Sequence, residues 1–265
     1  MHAFNYHRPA SLKDAAGLLD RHKEGKLLAG GQSLVQAMKL RLSSPTDLFD
    51  LNAISELKSI GSDGKSVTIG AMTRHAEVAA SSAVRKAIPA LAELAGGIGD
   101  RQVRNMGTIG GSLANNDPAA DYSAAVLGLG ATIVTNKGKH EADKFFKGLF
   151  ETALKPGEII TQVVFPVAKR AAYLKFKNPA SRFAIVGVFV AETANGVRVA
   201  VTGAGPSVFR QAEMEKALAA KFAPEAVANI KVKPDGLNTD LHASPEYRAH
   251  LITVMCKRAV AAALK

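Results

Sequence analysis

Two stretches of the chain set paired glycines among small and hydroxylated residues: Ala29-Gly30-Gly31-Gln32-Ser33-Leu34 and Gly107-Thr108-Ile109-Gly110-Gly111-Ser112-Leu113-Ala114. A glycine pair reaches backbone conformations closed to other residues and leaves no Cβ in the way of a close approach. Such a segment either turns successive N–H groups towards an anion, the nest that cradles phosphates, or forms a tight turn that satisfies only itself. Ser33, Thr108 and Ser112 stand where their hydroxyls add donors. The more familiar glycine signatures fail. A dinucleotide fingerprint through Gly97 and Gly99 meets Gln102 where it needs glycine, and one through Gly203 and Gly205 ends on Val208. Gly64-Lys65-Ser66 has Ser59 in place of the first P-loop glycine, and Gly31-Gln32-Ser33-Leu34-Val35 lacks the closing glycine of a nucleophile elbow. The histidines at 2, 7, 22, 75, 140, 242 and 250 show no metal-ligand spacing, and a single cysteine, Cys256, builds neither an internal disulfide nor a thiolate cluster. Rossmann, P-loop, serine-hydrolase and zinc chemistry are disfavoured.

At 265 residues the chain has room for two or three domains. Its longest apolar candidates, 124–134 and 183–191, fall short of the roughly 18–20 residues that span a bilayer. The first residues lack the apolar stretch of a secretory signal, so a soluble, cytoplasmic protein is expected. The net charge of +11 divides as +2, +3 and +6 over residues 1–100, 101–170 and 171–265. No basic run exceeds two residues and none interleaves with aromatics, which argues against nucleic acid. A diffuse basic surface suits an acidic ligand or subunit.

Ser11-Leu12-Lys13-Asp14 reads as a capping box opening a helix that Gly25 stops. Short strands are expected at 26–29 (buried), 48–51, 56–60 and 66–69, with a turn at Ser62-Asp63-Gly64. Residues 84–94 read as one helix, 96–111 as glycine-rich and non-helical, and Asp117-Pro118 as the N-cap and first position of an Ala-rich helix. Strands follow at 132–135 and 158–165, and Pro166 with Ala168-Lys169-Arg170 marks a domain boundary. Strands at 173–177, 184–192 and 197–202, an Asn195-Gly196 hairpin, and helices at 211–220 and 246–263 predict an antiparallel sheet with helices on one face.

The block from Arg104 to Asp121 (Arg104-Asn105-Met106-Gly107-Thr108-Ile109-Gly110-Gly111-Ser112-Leu113-Ala114, then Asn115-Asn116-Asp117-Pro118 and Asp121) resembles the second flavin loop of the FAD-binding medium subunits of molybdenum hydroxylases. That family includes the medium subunit of aerobic carbon monoxide dehydrogenases and the FAD domain of xanthine dehydrogenases. The run 28–34, Met38-Lys39-Leu40-Arg41, Lys155-Pro156-Gly157-Glu158-Ile159-Ile160, Lys175-Phe176-Lys177 and Asp240 to Arg248 agree in the same order, so the resemblance covers essentially the whole chain. It implies an α+β fold: a two-lobed FAD-binding domain of the vanillyl-alcohol-oxidase/CO-dehydrogenase flavoprotein type (lobes 1–55 and 56–168), then a small α+β domain, 169–265.

The resemblance also implies a site. Lys26, Leu27, Leu28, Ala29, Gly30, Gly31, Gln32, Ser33 and Leu34 match the loop along the pyrophosphate and ribityl part of FAD. Met106, Gly107, Thr108, Gly110, Gly111, Ser112 and Ala114 match the one that closes on the diphosphate. Asp121 matches an acidic residue at the ribityl chain, and Ile160 and Lys177 match positions near the isoalloxazine ring. Gln32 stands where many relatives have His. Valine at Gly110 is expected to weaken FAD binding by blocking backbone approach to the phosphate. The implied cofactor is non-covalent FAD, with molybdopterin and iron–sulfur clusters on a large and a small partner subunit of a dimerised heterotrimer. Electrons from the clusters would pass through FAD to a quinone, NAD or oxygen, with no residue of this chain acting as a general acid or base and none binding metal. A free-standing flavin-dependent oxidoreductase usually carries a larger cap or a covalent flavin, and a flavin-less basic scaffold subunit leaves both glycine loops unexplained.

Overall fold

Short strands alternating with helices put the start of the chain into a parallel sheet, seen in a computed structural model that describes residues 1–265. Strand β1 (Asn5–His7), helix α1 (Leu12–Arg21), β2 (Lys26–Leu28), α2 (Leu34–Lys39) and β3 (Asp47–Asp50) give the order β1-β3-β2. Ser11 caps α1 as expected, its Oγ accepting from the Asp14 N–H at 3.1 Å. The return bond runs from the Ser11 hydroxyl to the Asp14 carboxylate rather than from the cap's backbone amide. The helix stops at Arg21, four residues before Gly25. Gly25 is glycine for packing, because a Cβ there would overlap the Phe49 ring. Strand β2 is half-exposed, not buried.

The strand expected at 56–60 is a 3-10 turn, Ser55–Leu57, followed by β4 (Ile60–Ser62) and β5 (Ser66–Gly70). A run of helices comes next: α3 (His75–Ala80), α4 (Ser82–Ala87), α5 (Pro89–Gly96), α6 (Arg101–Met106), α7 (Ile109–Asn115) and α8 (Asp121–Leu129). Then come β6 (Thr132–Thr135), β7 (Gly138–Glu141), α9 (Ala142–Phe145), the small hairpin β8 (Phe146–Gly148) and β9 (Glu151–Thr152), and β10 (Ile160–Pro166). Strands pair antiparallel in the order β4-β5-β10-β6-β7. The helices bury Leu91, Tyr122 and Val126 against Ile69, Ile133, Val163 and Phe165 of this sheet.

Three expectations are corrected here. The helix at 84–94 is two helices, because Pro89 excludes the helical region for Ile88, which sits at φ −141°, ψ 73°. The stretch 96–111 does contain helix: α6 and the first turn of α7, with Gly110 and Gly111 inside it. And α8 begins at Asp121 with Ala120 as N-cap, because Asp117 closes its own turn, its carboxylate accepting from the Ala119 N–H at 2.8 Å and its carbonyl from the Ala120 N–H at 3.0 Å.

The remaining strands, β11 (Arg170–Lys177), β12 (Ala184–Thr193), β13 (Gly196–Thr202) and β14 (Phe209–Arg210), form one antiparallel sheet in that order, followed by α10 (Ala212–Ala220), α11 (Pro224–Val227) and α12 (Pro245–Ala263). The hairpin turns on Ala194-Asn195, one residue earlier than expected; Thr193 pairs with Gly196, which takes the positive φ of +105°. Helices α10 and α12 cover one face. Alternate β12 residues serve two cores: Val186, Val188 and Val190 pack under α12, while Phe189 and Ala191 join the core with Tyr122 beneath α8. A strand buried on both faces reads as one continuous apolar run, which is how 184–191 reads. No helix is long and apolar enough to cross a membrane.

Candidate functional site

Strand β2 runs into Gly30, and the chain leaving β5 pins the second glycine segment opposite it. There the His75 N–H donates to the Gly107 carbonyl at 3.0 Å and the Ile109 N–H to the Thr73 carbonyl at 3.1 Å. The two segments meet backbone to backbone. A Cβ at Gly30 would overlap the Met106 carbonyl oxygen, and one at Gly111 would come within 3.4 Å of the Ala29 Cβ.

Their donors differ. None of the consecutive backbone N–H groups of Gly30, Gly31, Gln32 and Ser33 donates to a protein acceptor, and Ser33 starts α2 without a side-chain cap. Gly31 holds φ +70°, the conformation that aims neighbouring N–H groups to one side. In the second segment the N–H groups of Ile109, Gly110, Gly111 and Ser112 are all used, by Thr73 O, Ala71 O (2.8 Å), Thr108 Oγ1 (3.1 Å) and Thr108 O (3.0 Å). From the residues alone each segment reads as a nest or as a tight turn, and the resemblance implies that both hold the diphosphate. The structure has one run of free amides, at 30–33, beside a wall of close-packed backbone in which the Thr108 N–H and the Ser112 hydroxyl are free. Gly110 is glycine because its Cβ would lie 2.6 Å from the Ala71 Cβ, so valine there would strike the sheet and not a phosphate.

Behind the wall lies His75, 5% exposed, with its ring 5.3 Å from that of Tyr122 and its Nδ1 buried without a partner. Burial, helped by the charge of Arg104, pushes its pKa down from 6.5 to about 4. The unfolded chain therefore binds a proton that the fold refuses. Stability held above pH 6.5 is lost as pH falls towards 4. Replacing His75 with leucine is expected to flatten that limb of a melting-temperature profile; an undiminished slope between those pH values would refute it.

Asp121, the first residue of α8, is 4% exposed and its carboxylate is held from the neighbouring sheet. Tyr173 donates its hydroxyl to Oδ1 at 2.5 Å and Lys175 its Nζ to Oδ2 at 3.0 Å. Burial pushes the Asp121 carboxyl up; Lys175 and Tyr173 hold against it. Lys175 also donates to the Gly97 carbonyl at 3.1 Å, beside Arg104 on the Ile98 and Gly99 carbonyls and Arg182 on Gly99. Three cations, on β11, α6 and the β11–β12 loop, thus grip the α5–α6 turn. Ile160 is buried at the start of β10, and Lys177 is exposed at the end of β11 without a protein partner. Lys26 is exposed at the start of β2, Leu27, Leu28 and Leu34 are half-buried, and Met106 and Ala114 are exposed. Sequence reasoning missed His75, Tyr173 and Lys175. The signal for the last two was period-two spacing, which puts Tyr173, Lys175 and Lys177 on one face of β11.

Residues 2–168 match the family described as FAD binding domain in molybdopterin dehydrogenase, and residues 171–263 match CO dehydrogenase flavoprotein C-terminal domain. The chain is 34% identical to the glyceraldehyde dehydrogenase medium chain of Sulfolobus acidocaldarius, over 97% of this chain and 96% of that one. It is 35% identical to the carbon monoxide dehydrogenase medium chain of Hydrogenophaga pseudoflava, over 98% and 96%. A solved structure of carbon monoxide dehydrogenase from Hydrogenophaga pseudoflava, lacking the Mo-pyranopterin moiety of its cofactor, superimposes with a TM-score of 0.91 at 36% identity, over 99% of this chain and 98% of that one.

Proposed function

The chain belongs to the family of FAD-binding subunits of molybdopterin dehydrogenases, and from that membership we propose that it is the FAD-carrying, electron-transfer subunit of a heteromeric molybdenum hydroxylase. The observation that carries the reading is the run of unpaired N–H groups at Gly30–Ser33, set against a backbone contact that any side chain at Gly30 would force open. Consecutive free amides fit the two phosphates of a dinucleotide, and the absence of a Cβ lets the ligand approach the main chain. Bound FAD supplies the chemistry of taking electrons one at a time and giving them up in pairs.

The residues of this chain bind and orient. Residues 26–34 line the pyrophosphate and ribityl chain, Gly30 to Ser33 through their amides; Met106 to Ser112 and Ala114 close on the diphosphate as a fitted wall. Asp121 faces the ribityl chain, and Ile160 and Lys177 lie towards the ring. In this reading 1–55 and 56–168 are the two lobes of the FAD domain and 169–265 is the C-terminal domain. Molybdopterin and iron–sulfur clusters belong to the large and small partners; the one thiol here, Cys256, is buried on the inner face of α12, where burial pushes its pKa up to about 12, and cannot hold a cluster alone. The assembly is a dimerised heterotrimer in the cytoplasm, delivering electrons to a quinone, NAD or oxygen. Three of these amides, Gly31 to Ser33, open helix α2, whose first bond runs from the Val35 N–H to the Gly31 carbonyl, so they are the free donors that a helix start offers to an anion.

The test is the visible spectrum of the purified full chain, followed by release of the cofactor on denaturation. Non-covalent FAD at one per chain, as isolated or after addition, is the expected result. A colourless protein that refuses added FAD overturns the proposal.

A further inference from the structure

Asp121 is ordered from outside its own helix. Both of its oxygens are taken by β11, across the contact between α8 and the β11–β14 sheet, by Tyr173 at 2.5 Å and Lys175 at 3.0 Å. The fold makes room for this. Gly187 of β12 pairs with Lys175, and a Cβ at Gly187 would overlap the Tyr173 hydroxyl. A side chain there would push the phenol away from the carboxylate, in a stretch, 184–191, otherwise filled by Val, Phe, Ile and Ala. Lys175 is fixed in turn by the Gly97 carbonyl, so the carboxylate rests on two immobilised donors.

We propose that Tyr173 and Lys175 are positioning residues for the cofactor, acting through Asp121 to fix the carboxylate that meets the ribityl chain. This rests on the assignment of Asp121 to the ribityl chain. A buried carboxylate held at both oxygens stays in one rotamer, so a ribityl hydroxyl that donates to a remaining lone pair costs it no rotamer entropy on binding. The C-terminal sheet thereby contributes to FAD affinity without touching FAD.

The experiment titrates the full chain and its Y173F, K175M, K175R and D121N variants with FAD and, separately, with ADP, which carries the diphosphate but no ribityl chain. Y173F and K175M each free the Asp121 carboxylate to move and are expected to raise the FAD Kd about 10-fold, the equivalent of about 1.4 kcal/mol. Their ADP Kd should stay unchanged, and K175R should recover most of the FAD affinity. Equal losses for FAD and ADP mark a merely structural role and overturn the proposal, as does unchanged FAD binding. If D121N itself binds FAD like the wild type, the assignment of Asp121 fails. If D121N loses affinity while Y173F and K175M do not, the positioning role alone fails. Y173F, which removes one oxygen atom, decides the matter should K175M not fold.

Discussion

Alanine at Gly30 is expected to cost the protein its FAD while leaving it folded. The added Cβ overlaps the Met106 carbonyl oxygen, and the next nearest atoms are also main chain, the Met106 carbonyl carbon and the Gly107 Cα. No side chain can rotate out of the way, so the two glycine segments must part. Gly107 to Gly110 are buried and Ile109 belongs to the main core, so the segment that yields is the half-buried turn at Ala29–Gly31, and the apoprotein should melt within a few degrees of wild type. The ligand loses more. Moving the free amides away from the wall beside them removes the equivalent of two charge-assisted hydrogen bonds, about 3 kcal/mol, or about 100-fold in Kd. Calorimetric titration with FAD checks this, and wild-type affinity in the variant would sink the site assignment.

Methionine at Arg248 should damage stability instead. This guanidinium is 3% exposed inside the β11–β14 sheet's helical cover. It donates to the Ile185 carbonyl at 2.6 Å, the Gly203 carbonyl at 3.0 Å and the Asp240 carboxylate at 2.7 Å, stitching the start of β12, the end of β13 and the loop before α12. Methionine fills the volume but leaves two buried carbonyls without this donor and Asp240 without its charge partner. Asp240 is nearly half exposed and regains water, so the cost is that of the two carbonyls left without this donor, about 1–3 kcal/mol each. Asn238 still donates to Gly203, which places the expected loss at the lower end, a fall in Tm of roughly 4–8 °C for a chain of this size. A Tm within two degrees of wild type, roughly the effect of under 1 kcal/mol, would show that the network is dispensable.

What the sequence made legible was local. Ser11 announced its cap and Asn195-Gly196 its hairpin, because both are decided within four residues. The Pro89 break was equally local, yet the apolar run of 84–94 masked it. Gly110-Gly111 was visible as a motif but not as a helix, because what requires glycine there is the Ala71 carbonyl, nearly forty residues earlier in the chain. Likewise nothing near Gly107 says that the amides of Ile109 and Gly110 are spent on Thr73 and Ala71 while those after Ala29 remain free. Asp121 stood out by its place in a family pattern. That its two oxygens belong to Tyr173 and Lys175 depends on how two sheets pack, which no spacing encodes.

Helix α8 is buried along its whole length, with the β4–β10 sheet's core on one side and β12 and β13 on the other. On the ribosome those two strands arrive about 60 residues after it, a wait of some 3–12 s at synthesis rates of about 5–20 residues per second. Through that interval the underside of α8 has no cover of its own. The nascent chain is therefore a client for whatever binds exposed apolar helices, and the half that holds the glycine segments is completed only once the tail has been made.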